Sequence, residues 1–142
     1  MKRLFFPDFA GGRAALGLAA LRIVVGLAFM LHGWDKIQDP LGWMGPKSGY
    51  PGWLQALAAL SEFGGGLAWI VGLLTPLASI GILCTMFVAV RVHLQMGAVF
   101  IGPDKSYELP LVYLVVALLL LLAGPGKLSL DALFFNKARG RY

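Results

Sequence analysis

Residues 53–102 form a run of fifty in which only Glu62 and Arg91 are charged at neutral pH. At a rise of about 1.5 Å per residue a helix of that length would be roughly 75 Å long, more than twice the ~30 Å hydrocarbon core of a bilayer. Thr75-Pro76 divides the run, because proline suits the first turn of a new helix better than the middle of an old one. The expectation is two membrane spans, at about 54–74 and 77–100. A first span falls at about 14–34, with Arg22 as its one charge, and a fourth at about 108–123, closed by the stop Gly124-Pro-Gly126.

Composition supports a membrane chain. Hydrophobic residues make up 58%, charged residues only 13%, and the mean hydropathy is +0.77, against roughly 25% charged in soluble domains. The net charge of +5 does not indicate nucleic acid, since the basic residues gather toward the chain ends. Met1-Lys-Arg3 is followed by Pro7 and Asp8, which interrupt the apolar run that a signal peptide needs. Cys84 is the single cysteine, so no intramolecular disulfide or dithiol relay can form.

The fold expected is all-α: a polytopic membrane four-helix bundle, one domain over residues 1–142, with both termini cytoplasmic. The ends carry seven cations (Lys2, Arg3, Arg13, Lys127, Lys137, Arg139, Arg141) and the two longer connections three (Lys36, Lys47, Lys105); basic segments stay on the cytoplasmic side. The segment 35–53 holds Pro40, Pro46, Pro51 and four glycines and reads as an ordered outer loop. With residues 102–107 it places Trp34, Trp43, Tyr50, Trp53 and Tyr107 as an aromatic belt. The segment 129–136, apolar and then basic, reads as a short interfacial helix lying on the inner surface.

Ionisable residues inside a membrane segment are costly and are kept for pairing or function. Ala15, Ala19, Arg22, Gly26 and Gly33 share one face of the first helix. Ala58, Glu62, Gly65, Trp69 and Gly72 share one face of the second. Small residues allow close helix approach in lipid, so these faces are expected to point inward. A comparable stripe on the third helix is Cys84, Val88, Arg91, Gln95 and Ala98. Arg22 is expected near mid-membrane, Glu62, Arg91 and His93 in the outer half, and His32, Lys36 and Glu108 near the outer surface. The candidate site is therefore one polar cluster opening outward, with Glu62 as its main anion and Arg22 or Arg91 as its partner. Two roles fit such a cluster: neutralised charges that fix the bundle, or a seat for a polar head group such as a quinone ring or an anion. No metal-binding spacing occurs. His32 and His93 lie at different depths, which argues against a bis-histidine haem. Gly64-Gly-Gly66 serves helix packing; no lysine follows it as a phosphate loop would require.

Several of these segments, in this order, resemble the DoxX family of small membrane proteins: Arg22-Ile-Val-Val-Gly26, His32-Gly-Trp-Asp-Lys36, Glu62-Phe-Gly-Gly-Gly66, Gly72-Leu-Leu-Thr75, Glu108 ahead of the last span, and Gly124-Pro-Gly126 with Ser129-Leu-Asp131. Arg22, His32, Lys36, Glu62 and Glu108 match recurrent positions of that family. The resemblance implies a four-helix bundle in the bacterial inner membrane, associated with redox complexes, one of which is a thiosulfate:quinone oxidoreductase. By that resemblance the chain is a membrane subunit with redox partners, not catalytic alone, and quinone is the ligand to test. A purely structural accessory subunit without a ligand is the alternative. A small transporter fits less well, for no pair of broken helices is evident.

Overall fold

The computed structural model describes residues 9–103 and 105–136. It is helical, with α1 Gly12–Gln38, α2 Gly52–Val71, α3 Thr75–Gln95, α4 Glu108–Ala123 and a short α5 Leu130–Asn136. Lys2, Arg3, Pro7, Asp8, Asp104, Lys137, Arg139 and Arg141 lie outside the described residues, so half of the charge count above is read from sequence alone. No strand forms among the described residues; Val99 and Ser106 make one isolated bridge. Helices α1, α2 and α3 are each long and apolar enough to cross a bilayer, and α4, with 16 residues, is a shorter apolar helix.

Each of the first four helices packs on its neighbour in sequence, and α1 and α2 approach most closely. The reason lies in their glycines. A methyl group on Gly26 would stand 2.7 Å from the Gly66 carbonyl oxygen, and one on Gly66 2.6 Å from that of Gly26. Only hydrogen at both positions lets the two backbones meet. Buried residues on the facing sides recur every seven positions. On α1 they are Ala15, Arg22 and Phe29, with half-buried Lys36 next in the series. On α2 they are Gln55, Glu62 and Trp69. A seven-residue repeat keeps one seam facing the partner helix along its length. Its middle layer is apolar: Phe29 meets Trp69 edge-on at 5.6 Å between centroids, and Tyr113 of α4 closes on Phe29 at 4.9 Å. Val25, Ile82, Met86, Ala117 and Leu120 complete the core.

Helix α2 ends at Val71 because Gly72 takes a left-handed conformation (φ 69°) and its N–H turns back to Trp69 and Ala68. Leu74 then also has positive φ, 51°, the one such non-glycine residue among those described. That conformation costs about 1–2 kcal/mol for a residue with a Cβ. Something must hold it, and the C-terminal helix does, as described below. Helix α3 stops at Gln95, short of the expected 100, in a turn where Met96 and Gly97 donate back to Val92, His93 and Leu94.

The inward face of α3 corrects the expectation from sequence. Thr75, Ser79, Ile82 and Met86 are buried, whereas Cys84, Val88, Arg91 and Gln95 are exposed. This helix is apolar on all sides, so small or polar residues could mark either face. The deciding contact is Trp69 Nε1, which donates to Ser79 Oγ at 3.1 Å inside the core.

Candidate functional site: an ion pair under a loop

Two polar nodes stand at opposite ends of the α1–α2 seam, roughly 21 Å apart over the fourteen residues from Arg22 to Lys36. The expected single cluster does not form, and neither arginine meets Glu62.

At the loop end, Glu62 pairs with Lys36. The Lys36 ammonium donates to both carboxylate oxygens, at 2.7 and 2.6 Å. It is the one ion pair among the described residues. Burial differs between the partners: the Glu62 side chain is 4% exposed and that of Lys36 24%. Lys36, counted with the outer loop when α1 is taken to end at residue 34, is hidden as a partner. Yet α1 runs on to Gln38, and Lys36 falls seven residues beyond Phe29 just as Glu62 falls seven before Trp69. In antiparallel helices those positions meet.

The loop of residues 39–51 folds back over this pair. Trp43 faces inward, with the Lys36 Nζ 4.5 Å from its ring centroid, a cation–π contact worth about 0.5–2 kcal/mol. Gln55 fixes the loop by three bonds. Its carbonyl accepts from Trp43 Nε1 at 3.0 Å, its side-chain oxygen accepts from the Met44 N–H at 2.9 Å, and its side-chain nitrogen donates to the Tyr50 carbonyl at 2.9 Å. Gln55 is buried. Gln55 is not among the residues expected from sequence; its signal there is a lone amide in the first turn of an apolar helix, seven residues before Glu62. Of the expected aromatic belt, Trp34, Tyr50 and Trp53 are exposed, while Trp43 is turned to the ion pair and Tyr107 rests on Phe100.

The other candidate residues stay outside the pair. His32 is exposed one turn from Lys36; its Nδ1 meets the Ala28 carbonyl at 2.8 Å, and its ring lies edge-on to Tyr113 at 6.4 Å between centroids. His93 repeats this arrangement with the Ala89 carbonyl. A carbonyl can only accept, so in the neutral ring Nδ1 carries the proton and Nε2 is left as an acceptor. Glu108 is exposed in the first turn of α4, its N–H bonded to Ser106 Oγ. Arg91 is exposed on the outward face of α3. No group of three potential ligands for a metal occurs among the described residues.

At the other end, Arg22 is 1% exposed. It donates to the Trp69 carbonyl at 2.8 Å and to the Leu128 carbonyl; its Nε finds no partner among the described residues. Gly72 is needed here as well, for a Cβ would collide with the guanidinium and with Ser129. Asp131, fully buried on α5, lies within electrostatic reach of Arg22. Its carboxylate accepts from the Leu74 and Thr75 N–H groups at 2.8 and 2.9 Å, and its own N–H donates to the Gly72 carbonyl at 2.8 Å. The first N–H groups of α3 thus receive their acceptor from another helix. These bonds hold Leu74 in its unfavourable conformation. The segment 129–136 is therefore not merely laid on a surface: Asp131 and Ala132 are buried, and Leu133, Phe134 and Phe135 face out.

Comparison with known proteins gives this arrangement a family. The DoxX family model matches residues 17–95, which include Arg22, Lys36, Gln55 and Glu62; α4 and α5 lie beyond it. An inner membrane protein of Escherichia coli, YqjF, is 31% identical over 132 residues, covering 86% of this chain and 95% of its own. An uncharacterized protein of Haemophilus influenzae is 32% identical over 123 residues, covering 84% of this chain and 92% of its own. No solved structure matches. The apolar helices and these relatives place the chain in the inner membrane, crossing it more than once. The chain belongs to the DoxX family.

Proposed function

We propose that this chain is a membrane subunit of a quinone-linked redox complex and seats a quinone head group at the Lys36–Glu62 pair, without turnover of its own. The observation that carries this reading is the asymmetry of the pair. Glu62 is sealed, whereas Lys36 is partly exposed beside an aromatic face. An ammonium has three donors; two go to Glu62, and the third suits an oxygen acceptor such as a quinone carbonyl. Trp43 offers a stacking surface, and His32 Nε2 an acceptor for a quinol hydroxyl. The donor on this reading is Lys36, with Glu62 holding it charged and in place. In the membrane the loop of residues 39–51 faces outward, the 16-residue α4 completes a fourth crossing, and both termini lie in the cytoplasm. All 142 residues form a single domain. The Lys and Arg distribution supports that orientation.

The test is titration of the purified protein with a short-chain benzoquinone, followed by quenching of tryptophan fluorescence. Saturable quenching that weakens about tenfold in Trp43→Leu supports the reading; absence of saturable binding in the native protein overturns it. The second reading, a structural subunit without a ligand, is favoured by one observation: Glu62 is already neutralised within the chain, as architecture alone would require. Isolation from native membranes in a mild detergent separates the two. Redox subunits and quinone retained together support the first; partners retained without quinone support the second.

A further inference from the structure

The end of the bundle that carries α5 has a feature unrelated to the ion pair. A surface cavity of about 580 Å³ opens between the end of α2 and α5, lined by Val71, Lys127, Leu128, Leu130, Ala132 and Leu133. Its walls are mostly apolar, with exposed Leu128 and Leu133 at the rim. Lys127 is exposed at its edge, anchored by its N–H to the Ala10 carbonyl at 2.9 Å and lying with its side chain over Gly11. Arg13, two residues on from Gly11, is also exposed. The described carboxylate at this end, Asp131, is buried and committed to the Leu74 and Thr75 N–H groups. The exposed described charges here are thus all positive. The sequence beyond α5 adds Lys137, Arg139 and Arg141, and that before α1 adds Lys2 and Arg3 against Asp8.

We propose that this cavity binds one anionic phospholipid, its phosphate paired with Lys127 and an acyl chain lying along Val71, Leu128 and Leu133. Charge complementarity selects the head group. The apolar walls select a lipid over a free anion, because phosphate alone would leave them in water. The exposed Leu133, Phe134 and Phe135 put the rim at the depth where head groups meet acyl chains. The bound lipid bridges the α2–α3 turn and α5, the two elements that Asp131 already ties together.

The full-length protein is reconstituted into phosphatidylcholine vesicles containing one fifth phosphatidylglycerol, extracted in mild detergent and weighed by native mass spectrometry. The native protein retains one phosphatidylglycerol per chain in preference to phosphatidylcholine. Lys127→Gln lowers that preference about fivefold, the weight of one surface cation at an anionic membrane. Leu133→Glu, which sets a charge in the wall against which the acyl chain lies, lowers the retention of lipid whatever its head group. Three results overturn the proposal: equal retention of the two lipids by the native protein, an unchanged preference in Lys127→Gln, or displacement of the retained lipid by millimolar inorganic phosphate.

Discussion

The two polar nodes of the α1–α2 seam are built from similar materials and differ in how they are closed. Around Arg22 the hydrogen-bond partners are backbone carbonyls from two other parts of the chain, the end of α2 and the segment before α5, and nearby Asp131 binds the backbone of the first turn of α3. Around Glu62 the partner is one flexible lysine that still reaches solvent. A node tied to backbone cannot change without moving the helices. A node tied to a lysine can exchange a solvent contact for a ligand contact while the helices stay in place. Depth and charge alone do not separate these roles; partner identity does.

That contrast sets an order of expected effects. The largest belongs to Asp131→Ala, which leaves the Leu74 and Thr75 N–H groups without acceptors and releases Leu74 from its imposed conformation. Buried donors left unpaired cost about 1–3 kcal/mol each, so the loss is about 3–5 kcal/mol, read by thermal or denaturant unfolding in detergent. A change under 1 kcal/mol would remove the lock from this account. Next comes Lys36→Met, which strands a carboxylate that is only 4% exposed; breaking a buried pair from this side costs about 3 kcal/mol. Glu62→Gln is milder, about 1 kcal/mol, because the lysine can turn to water. The double change Lys36→Met with Glu62→Gln is less harmful than Lys36→Met alone, a coupling that a double-mutant cycle measures. Equal costs for the two single changes would contradict the asymmetry.

Effects at the loop are smaller than that of Lys36→Met. Gln55→Ala removes two of the three bonds that hold residues 39–51, for about 1–2 kcal/mol, and exposes that loop to limited proteolysis. An unchanged cleavage pattern would show that Trp43 is held by something else. The smallest effect is expected at Arg91→Gln, within about 0.5 kcal/mol as for other exposed positions, since Arg91 has no close partner among the described residues. A large loss there would mean that Arg91 meets a partner outside the chain.

The sequence shows these differences unevenly. Helix α4 falls on its expected limits because Glu108 and Gly124 bound an uninterrupted apolar run. On α1 the small-residue face holds Gly26, which meets α2, and on α2 Glu62, Gly65 and Trp69 are buried as expected, but the glycine that meets Gly26 is Gly66, one position off the expected stripe. On α3 the same logic selects the exposed stripe: with apolar residues all round, Cys84 and Arg91 mark a face as plausibly as Ser79 does, and only the indole of Trp69 decides. The partner of Glu62 is a matter of register. Seven-residue spacing from Phe29 to Lys36 and from Glu62 to Trp69 carries that register, but an estimate of the α1 end at residue 34 hides it. The role of Asp131 is the least legible, because the backbone N–H donors it serves lie more than fifty residues away, which no local pattern encodes.

One measurement bears most directly on the claim that the Lys36–Glu62 node is the ligand-facing one and the Arg22–Asp131 node the fold-bearing one. It is benzoquinone titration of the double variant Lys36→Gln with Glu62→Gln, with thermal unfolding followed on the same sample. Two neutral amides can still bond to each other across the seam, so the helices keep their contact while the charged donor is gone. The account predicts a melting temperature within a few degrees of the native protein and quinone binding weakened at least tenfold. Native binding in this variant, or loss of its cooperative unfolding, would contradict it.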